Sequence, residues 1–168
     1  MKNQNLPNRK PTRLPNFDYS TNGLYSVTIC TKEKQKILSK IVGGGVPDAP
    51  HTVLFPCGKI VDKYINQMNE QYNNINIENY VIMPNHIHLL IFVDNPNGTS
   101  RTPSPTNAVI PMFVSTLKRF CNKEIGHNIF QRSFFDHIIR DQADYENVYN
   151  YIDSNPSKWE SDELYIKD

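Results

Sequence analysis

The chain has 168 residues, a length that suits one domain with a full hydrophobic core. No stretch approaches the length of a membrane span, and residues 1–13 lack the apolar segment of a signal peptide, so we expect neither a membrane protein nor a secreted one. Cys30, Cys57 and Cys121 are far apart and odd in number, which argues against a disulfide framework or a cysteine zinc site and favours a cytoplasmic location.

Charge is unevenly distributed along the chain, although the net charge is only +1. Residues 141–168 hold eight acidic residues against two lysines, so residues 1–140 are basic. Residues 1–13 contain four basic residues and no acid, and we expect them to form a flexible basic arm. This pattern is compatible with nucleic-acid binding, but solvated charge is the usual explanation of such runs.

The first predicted elements are a strand, a loop and a helix. Residues 24–30 predict a strand after the turn signal Asn22-Gly23. Residues 43–52 predict a loop, whose glycines do not have the spacing of a phosphate-binding loop. Apolar residues then recur every four positions, which predicts an amphipathic helix over residues 57–73.

The second half of the chain predicts two more strands, two helices and a fourth strand. The segments in order are strands 77–83 and 86–93 joined at Pro84-Asn85, a polar loop over residues 94–107, helix 109–125, strand 134–140, and a last helix that begins at Asp141 or Asp144 and ends near Asn155. This order predicts an α+β fold of one domain, residues 1–168: a ferredoxin-like β-α-β-β-α-β plan with an antiparallel sheet and an extra C-terminal helix. Many functions use this plan, so the fold does not decide among them.

The motif His86-Ile87-His88 lies in the most apolar predicted strand. Side chains alternate between the faces of a strand, so both imidazoles point the same way and can hold one metal ion. Two histidines at this spacing also occur by chance, and an exposed sheet face tolerates them. The apolar flanking residues argue against an exposed face, because they predict a buried strand and burial of polar rings is costly.

The last helix carries three tyrosines. Tyr145 and Tyr149 share one stripe with Val148 and Ile152, which predicts that they pack in the core. Tyr151 lies off that stripe, with Asn155 four residues later on the same flank. The alternatives are a surface tyrosine packed on a neighbour and an asparagine that ends the helix before Pro156.

Three segments together resemble the IS200-like single-tyrosine transposases of the HUH class, and most closely the REP-associated tyrosine transposase branch. They are residues 80–90 with the His-Ile-His motif, residues 135–140, and Tyr151-Ile-Asp-Ser-Asn-Pro156 with Trp159. The resemblance extends from about Arg13 to Leu164. Asn155 stands where classical insertion-sequence members tend to have glutamine, which favours the REP-associated branch.

The resemblance implies metal-dependent cleavage and rejoining of single-stranded DNA at a hairpin-marked site. Tyr151 would be the nucleophile that forms a 5′-phosphotyrosine, and His86, His88 and Asn155 would be the metal ligands. The mixed nitrogen and oxygen set suits Mg²⁺ or Mn²⁺. We expect His137 to lie in the core or behind the site, and the protein to be a monomer or a homodimer with no membrane partner.

Basic residues outside these motifs are candidate phosphate contacts, although each alone is more simply a solvated charge. They are Arg13, Lys118, Arg119, Lys123, Arg132 and Arg140.

One alternative function is a non-catalytic module that binds single-stranded nucleic acid on the same fold, but the paired stacking aromatics of RNA recognition domains are missing. A second is a metal-dependent hydrolase of small phosphate esters, for which the histidine strand lacks carboxylates before Asp94.

Overall fold

The computed structural model describes residues 22–45, 49–94 and 109–167. The predicted basic arm with Arg13, and the predicted polar loop except its first residue, lie outside the described residues. The described residues form six strands: β1 (Gly23–Cys30), β2 (Ser39–Val42), β3 (His51–Leu54), β4 (Ile75–Ile82), β5 (His86–Val93) and β6 (Phe135–Ile138). The helices are α1 (Pro56–Gln71), α2 (Val109–Ile125) and α3 (Gln142–Ser154), with short 3₁₀ segments at Lys32–Lys34 and Pro156–Ser161.

Four strands form one antiparallel sheet in the order β4-β5-β1-β6. This is the strand order of the β-α-β-β-α-β plan, with β5 and β1 at the centre, so the predicted fold class is confirmed. Pro84 and Asn85 connect β4 to β5, as the sequence predicted. The turn is tied to the segment after β1, because Leu38 donates its amide proton to the Pro84 carbonyl across 3.0 Å.

The two faces of the sheet have different partners. Alternate residues of the central strands, among them Val27, Ile29, Ile87 and Leu89, belong to the main hydrophobic core with α1 and α2. Their neighbours in sequence point to the opposite face because strand side chains alternate. There α3 contacts β4 and β5. His86 and His88 therefore lie beneath the C-terminal helix rather than in the main core.

A short hairpin, β2 and β3, forms a separate two-stranded sheet that the sequence did not reveal. The loop predicted over residues 43–52 is shorter than expected, because His51 and Thr52 already belong to β3. These strands have four residues each, too few to establish an alternating pattern. The hairpin leads directly into α1 and packs near the 3₁₀ segment that follows α3.

The C-terminal helix is held at its start and along its side. Asp141 caps α3, since its carboxylate accepts the Asp144 amide proton at 2.9 Å. Asn79 of β4 donates to the Asp153 carboxylate at 2.9 Å, which ties the helix to the sheet. The prediction that Tyr145 and Tyr149 are core residues was wrong: both are half-buried, and Ile152 is the buried residue of the helix.

Candidate metal and tyrosine site

The two histidines are brought together by β5 and are buried under the C-terminal segment. His86 is 0% exposed and His88 is 5% exposed, and their ring centroids lie 4.6 Å apart. In the antiparallel register His86 faces Cys30 and His88 faces Thr28 of β1. The Trp159 ring packs 5.9 Å from His86, which shields that imidazole from solvent.

Hydrogen bonds determine which nitrogen of His86 carries the proton. The Asn85 amide nitrogen donates to the Leu164 carbonyl at 2.8 Å, so the Asn85 amide oxygen must face His86. That oxygen lies 2.8 Å from His86 Nδ1, and because it can only accept, Nδ1 is the donor. The Nε2 atom of His86 is then a lone-pair acceptor. Among the described residues it is one of the buried side-chain atoms that have no hydrogen-bond partner.

His88 is oriented in a similar way by β1. Its Nδ1 atom lies 2.8 Å from the Thr28 hydroxyl, which leaves Nε2 directed at the C-terminal segment. Burial lowers the pKa of His86 to about 3, and the charge of His88 acts in the same direction. Burial also lowers the pKa of His88 to about 4. Both rings are therefore neutral near pH 7, the form in which imidazole binds a metal.

Tyr151 reaches the histidines from α3. Its side chain is 43% exposed, as its position off the packing stripe predicted, and its ring centroid lies 5.1 Å from that of His88. The hydroxyl lies 3.5 Å from His88 Nε2 and donates to the Asp162 carboxylate at 3.0 Å. Burial raises the pKa of Tyr151 to about 12, and the charge of Asp162 and the hydrogen bond to it act in the same direction.

Asp162 is the site residue that the sequence analysis did not predict. Its carboxylate and the ring nitrogens of His86 and His88 offer ligand atoms within 4.8 Å of one another. Burial raises its pKa, but hydrogen bonds from the Leu164 amide, Tyr151 and Asn155 and the charge of His86 outweigh burial, so the net pKa is below its ordinary value. The residue stands just after the 3₁₀ segment Pro156–Ser161. The only signal in the sequence was its membership of the acidic C-terminal run.

Asn155 lies at the same place, 1% exposed, but it does not end the helix as a capping side chain would. Its amide nitrogen donates to Asp162 at 3.2 Å, and its Oδ1 atom is buried without a partner among the described residues. The backbone stays helical at Asn155, and Pro156 begins the 3₁₀ segment instead of turning the chain away. Asp162 links this unpartnered amide oxygen to the unpartnered nitrogen of His86, and the two atoms with the carboxylate are a donor set that fits a divalent cation.

Among the described residues, none of the basic residues predicted to contact DNA makes a hydrogen bond to a side chain of this site. Lys118 donates to the carbonyls of Gln131 and Ser133 at 2.8 and 2.9 Å, and burial lowers its pKa to about 8. The others are surface residues: Arg119, Lys123, Arg132 and Arg140. Of the two places expected for His137, the core was wrong, since the residue lies exposed on β6 and pairs with Asp144 at 2.8 Å. A place behind the site stays a prediction.

Comparisons with known proteins support the likeness seen in the motifs. No family profile matches the chain. An uncharacterised protein of Haemophilus influenzae is 29% identical and aligns with 98% of this chain and 97% of its own length. A second Haemophilus influenzae protein, named as a REP-associated tyrosine transposase, is 26% identical over 84% of this chain and 74% of its own length.

A solved structure of a REP-associated tyrosine transposase bound to a REP hairpin shares the fold. It superposes with a TM-score of 0.62 over 90% of this chain and 74% of that chain, at 17% identity. The predicted likeness to the REP-associated tyrosine transposases is confirmed. Among the described residues, no helix is both long enough and apolar enough to cross a bilayer. The predicted cytoplasmic location and oligomeric state stay predictions.

Proposed function

We propose that this protein cleaves and rejoins single-stranded DNA, as in transposition or the processing of REP-type hairpins. Tyr151 is the nucleophile, and His86 and His88 are ligands of a divalent metal ion, Mg²⁺ or Mn²⁺. The observation that carries the proposal is the contact of the Tyr151 hydroxyl with His88 beside a buried imidazole nitrogen of His86 that has no partner among the described residues. The likeness to REP-associated tyrosine transposases supports the choice of DNA as substrate.

The side chains fit a divalent ion in number and chemistry. His86 Nε2 and Asn155 Oδ1 are buried without a hydrogen-bond partner in the described chain, and Asp162 adds a carboxylate oxygen next to both. A bound divalent ion would supply the positive charge that stabilises a phenolate and the charge that builds on a phosphate under attack. We infer that His86, His88 and Asp162 are ligands, with Asn155 as a further oxygen ligand.

Asp162 orients Tyr151 in this structure. The carboxylate accepts a hydrogen bond from the Tyr151 hydroxyl at 3.0 Å. The pKa of Tyr151 is far above neutral, and that of Asp162 is below its usual value. Proton transfer from the phenol to Asp162 is therefore unfavourable in this arrangement. The phenol is held toward His88 and becomes nucleophilic only when positive charge at the site lowers the cost of its ionisation.

The proposed reaction exchanges one phosphodiester bond for another. The Tyr151 oxygen forms a bond to phosphorus as it loses its proton, and the bond from phosphorus to the 3′ oxygen of the preceding nucleotide breaks. That oxygen takes up a proton and leaves as a 3′-hydroxyl. Attack by a 3′-hydroxyl on the phosphotyrosine reverses these steps and rejoins a strand, so no nucleotide cofactor is required.

The test is formation of a covalent adduct on denaturing gels. The protein is incubated with labelled DNA that carries a hairpin and a single-stranded flank, in Mn²⁺ or in excess EDTA. We expect an adduct with Mn²⁺ only, and its loss in the His86→Ala/His88→Ala variant, which should still bind the DNA because phosphate contacts elsewhere supply most of the affinity. An adduct of equal yield in EDTA would contradict the metal role.

A second candidate function is hydrolysis of small phosphate esters. The histidine strand has no carboxylate before Asp94, but Asp162 places one beside the histidines. Such a hydrolase would release product without a stable protein adduct. Turnover of a chromogenic phosphodiester with no adduct on DNA would favour this alternative. Binding of single-stranded DNA without either reaction would favour a non-catalytic module.

The roles of Asn155 and Asp162 can be separated by metal titration. Asn155→Ala removes one neutral amide oxygen, whereas Asp162→Asn removes a charge, so both should raise the Mn²⁺ concentration for half-maximal adduct formation and Asp162→Asn should raise it more. Thermal stability should change little for Asn155→Ala, because its side chain does not cap the helix. A lower melting temperature with an unshifted titration would make Asn155 a structural residue.

A further inference from the structure

A groove lined by lysines opens beside the candidate site. It has a volume of about 720 Å³, and its walls are the β2 strand and the 3₁₀ segment Pro156–Ser161. That volume is within the roughly 300–1,000 Å³ range of ligand clefts. Phe55 and Tyr165, both half-buried, give the groove flat apolar surfaces.

Three lysines line this groove, which we call the lysine groove: Lys36, Lys40 and Lys158. Lys36 lies over the Tyr165 ring, 5.4 Å from its centroid. Lys40 and Lys158 are exposed, and within the described ranges neither side chain takes part in a hydrogen bond or an ion pair. Glu160 is the one acidic residue among the groove's described lining residues, so the walls carry a net positive charge.

The lysine groove lies near the candidate metal site. Two of its lining residues, Pro84 and Trp159, are next to His86: Pro84 is two residues before it, and the Trp159 ring lies 5.9 Å from its ring. The 3₁₀ wall begins directly after Asn155 and ends directly before Asp162. A strand lying in the groove would therefore lie along the segment that joins two side chains of the candidate site.

We propose that the lysine groove binds the single-stranded DNA next to the phosphate that Tyr151 attacks. The inference rests on the proposed function for the identity of the strand. Grooves for single strands combine positive charge along the backbone with flat side chains against the bases, and both are present here. Lys40 of β2 and Lys158 of the 3₁₀ segment contact phosphates, while Phe55 and Tyr165 face the bases.

The test measures binding without chemistry. Fluorescence anisotropy of a labelled twelve-nucleotide oligothymidine is recorded in EDTA over a range of salt concentrations, for the wild type and for Lys40→Gln and Lys158→Gln. Each lost phosphate contact should reduce the slope of log affinity against log salt by about 0.7. The matched control is Lys59→Gln, which removes an exposed lysine of α1 that does not line the groove.

Lower affinity and a smaller slope in both groove variants, with the control equal to the wild type, support the proposal. Unchanged slopes in the groove variants, or an equal loss in the control, overturn it. Adduct formation by the wild type is measured separately on hairpin DNA. If the adduct forms but the groove variants bind normally, the groove proposal alone fails; if no adduct forms but the slopes fall, the groove proposal stands and the proposed function fails.

Discussion

At the scale of single residues, the site depends on two linked hydrogen bonds that determine which ring nitrogen of His86 carries the proton. The Leu164 carbonyl orients the Asn85 amide, which in turn holds the proton of His86 on Nδ1. Partners of this kind orient the ligands of metal sites and keep their lone pairs available. Asn85 is therefore a positioning residue, although it touches neither the proposed ion nor the DNA.

Replacement of Asn85 by alanine should weaken metal binding more than it changes the fold. The His86 ring would lose its orienting acceptor, and the affinity for Mn²⁺ measured by calorimetry should fall about tenfold to a hundredfold, the usual effect of removing such a partner. Asn85→Asp keeps an acceptor toward His86 and should recover part of that affinity. Equal affinity in Asn85→Ala and the wild type would show that the tautomer is set by other contacts.

The buried histidines should make the metal-free protein sensitive to mild acid. Burial lowers the pKa of each ring below the unfolded value of 6.5, so the unfolded state binds more protons as the pH falls. Stability is then fully present above pH 6.5 and is lost below it, by up to about 1.4 kcal/mol per pH unit for each histidine. Urea unfolding in EDTA between pH 7 and pH 5 measures this loss.

The control for this pH dependence is the His86→Gln/His88→Gln variant. It lacks both titrating rings, so its unfolding midpoint should vary less over the same pH range than that of the wild type. Parallel pH profiles for the two proteins would assign the acid sensitivity to other groups.

At the scale of elements, α1 is fixed against the segment before β2 by a close backbone contact. Gly58 lies on the first turn of α1, and a Cβ atom placed there would be 2.0 Å from the Leu38 carbonyl oxygen. Phe55 also donates its amide proton to that carbonyl at 2.9 Å. The start of α1 can approach this closely only because residue 58 has no side chain.

Gly58→Ala should therefore destabilise the protein by at least the roughly 1–3 kcal/mol of an overpacked core, because the atom it meets belongs to the backbone. The free energy of unfolding from urea titration is the measurement. Gly45→Ala serves as the control, since a Cβ atom at Gly45 meets nothing within 4 Å. Equal stability of the Gly58 and Gly45 variants would mean that α1 can shift at no cost.

The long elements were predictable from the sequence because their patterns are strong. The apolar, β-branched run over residues 86–93 and the four-residue period that ends at Tyr72 predicted β5 and α1 within a few residues. The hairpin of β2 and β3 and the 3₁₀ segment Pro156–Ser161 were missed. Strands of four residues have no clear period, and the continued turn after Asn155 depends on packing of Trp159 against the sheet.

At the scale of the whole molecule, the fold brings together residues that are distant in sequence. His88 and Tyr151 are 63 positions apart and touch because α3 packs on the face of the sheet opposite α1 and α2. The positions of His88 and Tyr151 were predictable from the sequence. Side-chain alternation on a strand put His88 on the same face as His86, and helical periodicity put Tyr151 off the packing stripe. The position of Asp162 was not predictable, because no local pattern sets an aspartate in the acidic C-terminal run apart from solvated carboxylates.

Charge separates the molecule into a basic body and an acidic end, and the site lies where the two meet. Asp162 belongs to the acidic run, and its carboxylate lies beside the two neutral imidazoles of β5. Lys40 and Lys158 line the neighbouring groove. In the proposed complex the lysines would attract the phosphates of the strand, and the Asp162 carboxylate would repel them until a cation is bound.

The most direct test of the account is to identify the tyrosine that becomes joined to DNA. Wild-type protein is incubated with hairpin-bearing single-stranded DNA and Mn²⁺, digested with protease and nuclease, and analysed by mass spectrometry, together with Tyr151→Phe and the control Tyr149→Phe. We predict a nucleotide phosphate on Tyr151, no adduct in Tyr151→Phe with an unchanged melting temperature, and a full adduct in Tyr149→Phe. An adduct on another tyrosine, or equal yield from Tyr151→Phe, would contradict the assignment of Tyr151 as the nucleophile.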